Sequence, residues 1–187
     1  MSVTIELLDG NAALSAVPEL ASVLVDCVEG GASVSFMSPL SREKAEAFWT
    51  DVARAVGNGD LSLLVARDAS GAIVGTVQLK TALPENQPHR AEVAKLLVRR
   101  RARRKGIAGD LMRELETVAV DRGKTLLVLD AVTGGDAHRL YQRLGWQVVG
   151  DIPNYALFPD GRPCSTTYMW KVPGDGPSPS KAFDSRY

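Results

Sequence analysis

Apolar residues recur along this chain with two different periods, and the switches between them lay out the elements. Val3 to Leu8 alternates loosely and predicts a short first strand. Residues 11–29 place Leu14, Val17, Leu20, Ala21, Leu24, Val25 and Val28 at helical spacing before Gly30 and Gly31. Pro18 either splits that segment or sits in its first turn. A polar loop over 31–40 carries Phe36 and Met37. Ser41 is a predicted N-cap for a helix reaching Val56, with Ala45, Phe48, Trp49 and Val52 on one face and Gly57 beyond its end. Residues 61–67 and 72–80 flank Asp68-Ala69-Ser70-Gly71 and read as an antiparallel hairpin. A loop at 84–88 leads to a strand over 91–98.

The second half repeats the alternation. Residues 106–122 form an amphipathic helix with Ile107, Leu111, Leu115, Val118 and Ala119 facing inward. Thr125 to Val132 is almost wholly apolar, the pattern of a strand buried on both faces. Residues 136–144 form a helix closed by Gly145, and strands follow at 146–150 and 166–171 around a loop over 151–165. Residues 1–172 then make one domain, and 173–187, rich in Pro, Gly and Ser, read as a disordered tail. The middle of the chain is strand, basic turn, helix, strand: a βαβ crossover with its two strands parallel. The expected class is α+β, a mostly antiparallel mixed sheet with a central parallel pair and helices on both faces.

Composition narrows the function. Lys plus Arg equals Asp plus Glu at 22 each over 187 residues, which argues against a broad nucleic-acid or anionic-membrane surface. No apolar run approaches the roughly 18–20 residues of a membrane span, and Met1 to Glu6 has neither a basic nor an apolar leader character. Cys27 and Cys164 are the only cysteines, without a CxxC or a His/Cys cluster, so no metal is expected and a cytoplasmic location is the default. Neutrality is only an average, however. Six of the 22 positive charges fall within Arg99 to Lys105, and the other 180 residues carry a net −6.

That run precedes Gly106-Ile107-Ala108-Gly109, at the start of a predicted helix. Unpaired N–H groups and the positive end of the helix dipole favour an anion there. Gly106 and Gly109 lack the Cβ that would hold a phosphate off the backbone, while Arg103, Arg104 and Lys105 add charged donors. The expected ligand carries a di- or polyphosphate. Neither a Walker loop nor a GxGxxG is present.

Arg103-x-x-Gly106-x-Ala108, after the strand 92–98, resembles the acyl-coenzyme-A signature Q/R-x-x-G-x-G/A of the GNAT N-acetyltransferase superfamily. Residues 137–146, with Ala137, Leu140, Tyr141, Gly145 and Trp146, resemble the family's second motif, A-x-x-L-Y-x-x-x-G-F/W. The likeness covers about Leu61 to Trp170 and is nearest to the tabtoxin-resistance type, through Leu127 to Asp130, Thr133-Gly134, Ile152 to Ala156 and Pro159-Asp160-Gly161. One departure stands out: Gly134 occupies a position where many members carry Asn.

The resemblance implies acetyl-coenzyme A as cosubstrate, held by Arg103, Arg104, Lys105, Gly106, Ile107, Ala108 and Gly109. It implies that pantetheine lies along Leu96, Leu97 and Val98 like an added strand, with the Leu96 N–H polarising the thioester oxygen. Tyr141 is then a coenzyme contact and the proton donor to the departing thiolate, since a phenol with a pKa of about 10 stays protonated at neutral pH. It equally suits a buried helix face with Ala137, Leu140 and Leu144. Glu92 precedes Arg103 by the interval of the base glutamate in the histone-acetylating branch, and otherwise reads as an exposed strand-end charge. Asp130 closes the apolar run 126–129 and either binds the acceptor ammonium, shares the base role or caps a turn. His138 reads as a helix-surface residue, and His89 as a loop residue without signal. Phe36, Trp49 and Tyr155 are candidates for a pocket wall, Trp49 fitting the core better.

The expected function is direct acetyl transfer to a primary amine of a small molecule, an amino-acid-like compound or antibiotic. No Cys–His pair supports an acyl-enzyme. Acetylation of a protein N-terminus or lysine would instead need an open groove around Tyr155. A nucleic-acid patch at 99–105 lacks interleaved aromatics, and a coenzyme-binding module without catalysis is a third reading. No membrane or nucleic-acid partner is expected, and a homodimer stays open beside a monomer.

Overall fold

A computed structural model describes residues 3–174. The chain opens with β1 (Thr4–Leu8) and then two helices, α1 (Gly10–Ser15) and α2 (Val17–Glu29). Asp9 caps α1 by accepting the Ala12 N–H at 2.8 Å. The helical segment read over 11–29 is divided into α1 and α2, and Pro18 lies in the first turn of α2, where its missing N–H costs nothing. α3 (Arg42–Gly57) is capped by Ser41, whose hydroxyl accepts the Lys44 N–H at 3.2 Å. α1 crosses α3 so closely that a Cβ on Gly10 would come within 2.7 Å of the Gly57 Cα.

Strands β2 (Leu61–Arg67), β3 (Ile73–Lys80) and β4 (Arg90–Val98) form an antiparallel meander. A one-turn 3-10 helix, Arg100–Ala102, joins β4 to α4 (Ile107–Asp121). Then come β5 (Leu126–Val132), α5 (Asp136–Arg143), β6 (Gln147–Leu157) and β7 (Pro163–Lys171). The seven strands make one sheet in the order β1-β2-β3-β4-β5-β7-β6, in which β4 and β5 are the parallel pair. The expected α+β class and mixed sheet are what the chain adopts.

Alternation along the strands gives the sheet two apolar faces. One carries Leu63, Val65, Ile73 and Leu97 and packs on α1, α2 and α3, where Trp49 is fully buried. The other carries Leu64, Val77, Leu79, Val93 and Leu127 and packs on Leu111, Met112 and Leu115 of α4.

Two expectations need correction. The loop predicted over 151–165 is mostly strand: β6 runs on to Leu157 and β7 begins at Pro163, so Cys164 lies in a strand. β6 is the outermost strand, exposed at every residue but Ala156, with register shifts between Val148 and Gly150 and between Ile152 and Ala156. A strand with no buried face has no period to read. β5 in turn is not buried on both faces; Leu127, Leu129 and Ala131 are buried, while Asp130 is exposed. The tail expected from residue 173 lies almost wholly outside the described residues.

Candidate active site

The parallel strand pair β4–β5 is short, and that creates the site. β4 and β5 are in register only from Arg90 opposite Leu126 to Glu92 opposite Val128. Past those positions they part, and the rest of β4 keeps only β3 as a neighbour. Backbone groups of residues 93–98 that face the gap lack a strand partner, and such groups demand one. β4 also bulges here: Thr76 opposes Leu97 while Gln78 opposes Ala94, and Lys95 takes a left-handed conformation at φ 52°.

Leu96, Leu97 and Val98 lie on this parted stretch. The Leu97 side chain is buried against the helices α1–α3 side of the core. The Val98 carbonyl already accepts from Arg103 Nε at 3.1 Å.

The basic turn at the far end of β4 is more structural than its composition suggests. Arg99 Nε donates to the Ile73 carbonyl at 2.9 Å, and Arg100 donates to Asp26 from its backbone at 2.8 Å and its side chain at 2.9 Å. Arg101 stands 3.7 Å from Asp68. Arg104 makes no such contact among the described residues and is exposed, at φ 63°. Gly106 at φ 84° is the N-cap of α4, and no side chain caps the helix. The N–H groups of Ile107, Ala108 and Gly109 in its first turn are therefore left for a ligand. The Ile107 side chain is in the core, so only its backbone can take part.

At the other end of the gap, Glu92 is opposite Val128, and Asp130 lies two residues further along β5, so both carboxylates are on one face. Lys80 is opposite Glu92, and Tyr168 is opposite Asp130. Glu92 accepts from Arg90 at 3.0 Å. Desolvation, with the Glu92 charge adding to it, holds the Asp130 carboxyl above its ordinary range against the pull of Lys95 and Lys80. The Tyr155 and Tyr168 hydroxyls are 2.7 Å apart with their rings edge to face. That hydrogen bond, then desolvation, pushes the Tyr168 phenol up to about 12.

A cavity of about 320 Å³ opens on this face, walled by Ser33, Ser35 and Phe36 from the loop after α2, by Asp130 and by Tyr155. Phe36 and Tyr155 are thus pocket residues, while Trp49 is core, 5.1 Å from the Phe48 ring. Tyr141 sits in α5 on the other side of the sheet, buried against Trp146 at 5.8 Å between ring centres. Burial, then the Asp130 charge, drives its phenol above the ordinary value. His138 is less exposed than expected: its Nδ1 accepts the Gly134 N–H at 2.9 Å, and its Nε2 is buried without a partner.

The sequence reading missed Ser35, Lys95 and Tyr168. Lys95 left one trace, as the lone charge between Val93 and Val98. Among the described residues no cluster suits a metal ion, and no helix is long and apolar enough to cross a membrane.

Solved structures share this architecture. A phosphinothricin acetyltransferase from Sinorhizobium meliloti, in complex with acetyl-coenzyme A, superposes with a TM-score of 0.76 at 20% identity, covering 99% of this chain and 98% of that one. An N-acetyltransferase from Staphylococcus aureus gives 0.75 at 17%, covering 93% and 100%. A ribosomal-protein-alanine N-acetyltransferase from Brucella melitensis gives 0.73 at 23%, covering 90% and 99%. The acetyltransferase (GNAT) family model matches residues 32–146, more than half of the sequence and all of the parted-strand site up to Trp146. The chain belongs to that family.

Proposed function

We propose that the protein is an acetyl-coenzyme-A-dependent N-acetyltransferase that acetylates a primary amine of a small molecule by direct attack in a ternary complex. The carrying observation is the parted β4–β5 pair, whose β4 backbone has no partner in β5 between an uncapped helix N-terminus and a cavity lined by Asp130. The residues fit the coenzyme. Its phosphates suit the first-turn N–H groups of α4 and the Arg104 guanidinium, and its amide-bearing arm suits the stretch of β4 at Leu96 to Val98 that has no partner in β5. The Sinorhizobium relative, solved with acetyl-coenzyme A, supports the same ligand. The likeness to tabtoxin-resistance enzymes supports a small acceptor, as does the limited volume of the cavity beside Tyr155, about 320 Å³. Two buried, unbridged cysteines suit a reducing, cytoplasmic setting.

When bound, the coenzyme supplies an activated acetyl thioester. The chain's part is to make the amine nucleophilic and to manage two protons. Asp130, with its raised pKa, is a stronger base than an ordinary carboxylate and narrows the gap to an alkylammonium. It takes the acceptor's proton, directly or through water, with Glu92 on the same face. Tyr141, kept protonated by burial, donates from its hydroxyl to the departing sulfur. The nitrogen–carbonyl bond would form as the carbon–sulfur bond breaks; of the two protons the nitrogen sheds, one goes to Asp130 and the second, through water, restores the Tyr141 hydroxyl that protonated the sulfur, leaving an amide and a thiol.

Titration of acetyl-coenzyme A in a thermal-shift assay, beside a panel of amines assayed for coenzyme A release, tests the reading. The expected outcome is stabilisation by the coenzyme and turnover of some small amine. Tyr141→Phe should then lower kcat by at least about tenfold with little change in coenzyme affinity. An absence of stabilisation, or of acetyl transfer to any small amine, would overturn the proposal.

A further inference from the structure

Among the described residues, four other than glycine adopt left-handed backbone: Ser35, Lys95, Arg104 and Asn154. All four border the parted strands, the basic turn or the cavity wall, and such conformations persist where surrounding structure holds them for a purpose. Two of them are bonded to each other. Lys95 Nζ donates to Ser35 Oγ at 3.1 Å, joining the β4 bulge to the loop that walls the cavity.

The Lys95 ammonium is poorly compensated. It lies 5.7 Å from the centre of the Phe48 ring and bonds the Ser35 hydroxyl, but among the described residues no carboxylate is within ion-pair distance. Half-buried cations are ordinarily paired. Desolvation, then the charge of Lys80, holds its pKa below the ordinary lysine range, with Asp130 pulling the other way. The region is therefore bipolar, with Asp130 and Glu92 at one pole and Lys95 with Ser35 at the other. A ligand placing a cation at the first pole and an anion at the second would satisfy both.

We propose that Lys95, held by Ser35, is the specificity-determining residue of the acceptor site, and that it selects an amine carrying an acid group, a carboxylate or a related oxyanion. Resting on the transferase reading above, this narrows the acceptor to zwitterions. Asp130 and Glu92 receive the ammonium, and the Lys95 ammonium with the Ser35 hydroxyl receives the acid oxygens. Lys95 takes no part in proton transfer.

The test uses the full chain and three matched probe sets: free α-amino acids, their carboxamides, and aminoalkylphosphonates of the same carbon skeletons. Coenzyme A release is compared per unit of free-base amine, in wild type and in Lys95→Met. Wild type should use free acids at a kcat/KM at least about tenfold above their amides. In Lys95→Met that ratio should collapse toward one, mainly through KM for the acids, while acetyl-coenzyme A still stabilises the variant as it does wild type. Preference between carboxylates and phosphonates identifies which oxyanion is meant. Equal use of acids and amides by wild type, turnover confined to amines without an acid group, or an unchanged ratio in Lys95→Met would each overturn the inference while leaving the transferase standing. Failure to bind acetyl-coenzyme A at all would instead strike the transferase reading.

Discussion

Asp130 and Glu92 stand on one face of the sheet, and the Glu92 charge makes the Asp130 charge harder to form. That coupling offers a way to tell which of them takes the proton. With Asp130 as base, the acid limb of the pH profile of kcat/KM lies above the usual carboxylate range. Glu92→Gln removes a like charge, so Asp130 ionises more readily and the limb moves to lower pH, with turnover retained. Were Glu92 the base, the same variant would abolish the limb and most of the rate. A profile measured on both proteins decides between them. Lys95 acts with the opposite sign on Asp130, and acid recognition should fade as pH rises through its lowered pKa, seen as a rising KM for free acids. Asp130, Glu92 and Tyr141 could be picked out in the sequence because each breaks a pattern or completes a motif. Tyr168 could not, because its neighbours Asp130 and Tyr155 come from other strands.

The basic turn shows what an element adds to a run of like charges. Seven consecutive residues with six cations suggest a single anion site, but their roles divide once the partners are seen. Arg100 clamps the turn onto α2 through Asp26, whereas Arg104 makes no bond among the described residues. Arg104→Gln should therefore weaken coenzyme binding by about tenfold and leave the melting temperature unchanged. Arg100→Gln should instead lower stability by about 1 kcal/mol or less, since the pair is partly solvated. Calorimetric titration beside thermal melting separates the two. Those partners were invisible beforehand because Asp26, Asp68 and Ile73 are remote in sequence. The same applies to β6, whose exposed, bulged course has no hydrophobic period, whereas β2 buries both faces and reads as an apolar run, and α4 buries one and could be traced from its spacing.

Across the whole molecule, three paired positions are all that ties β1 through β4 to β5 through β7 within the sheet. The sheet is in effect two half-sheets joined by a short seam, unzipped along the rest of its length. A coenzyme arm lying in the opening would serve as an eighth strand and close the zip, so saturation with it belongs to the protein's stability as well as to its chemistry. At a hundredfold excess over Kd, the gain is about 2.7 kcal/mol. Hydrogen exchange at Val93 to Val98 should slow when acetyl-coenzyme A is added, while exchange in β2 changes little; uniform slowing of both would speak against a seam. Resistance to proteolysis should then follow acetyl-coenzyme A concentration, so that the supply of acetyl groups sets how much of the enzyme survives as well as how fast it works.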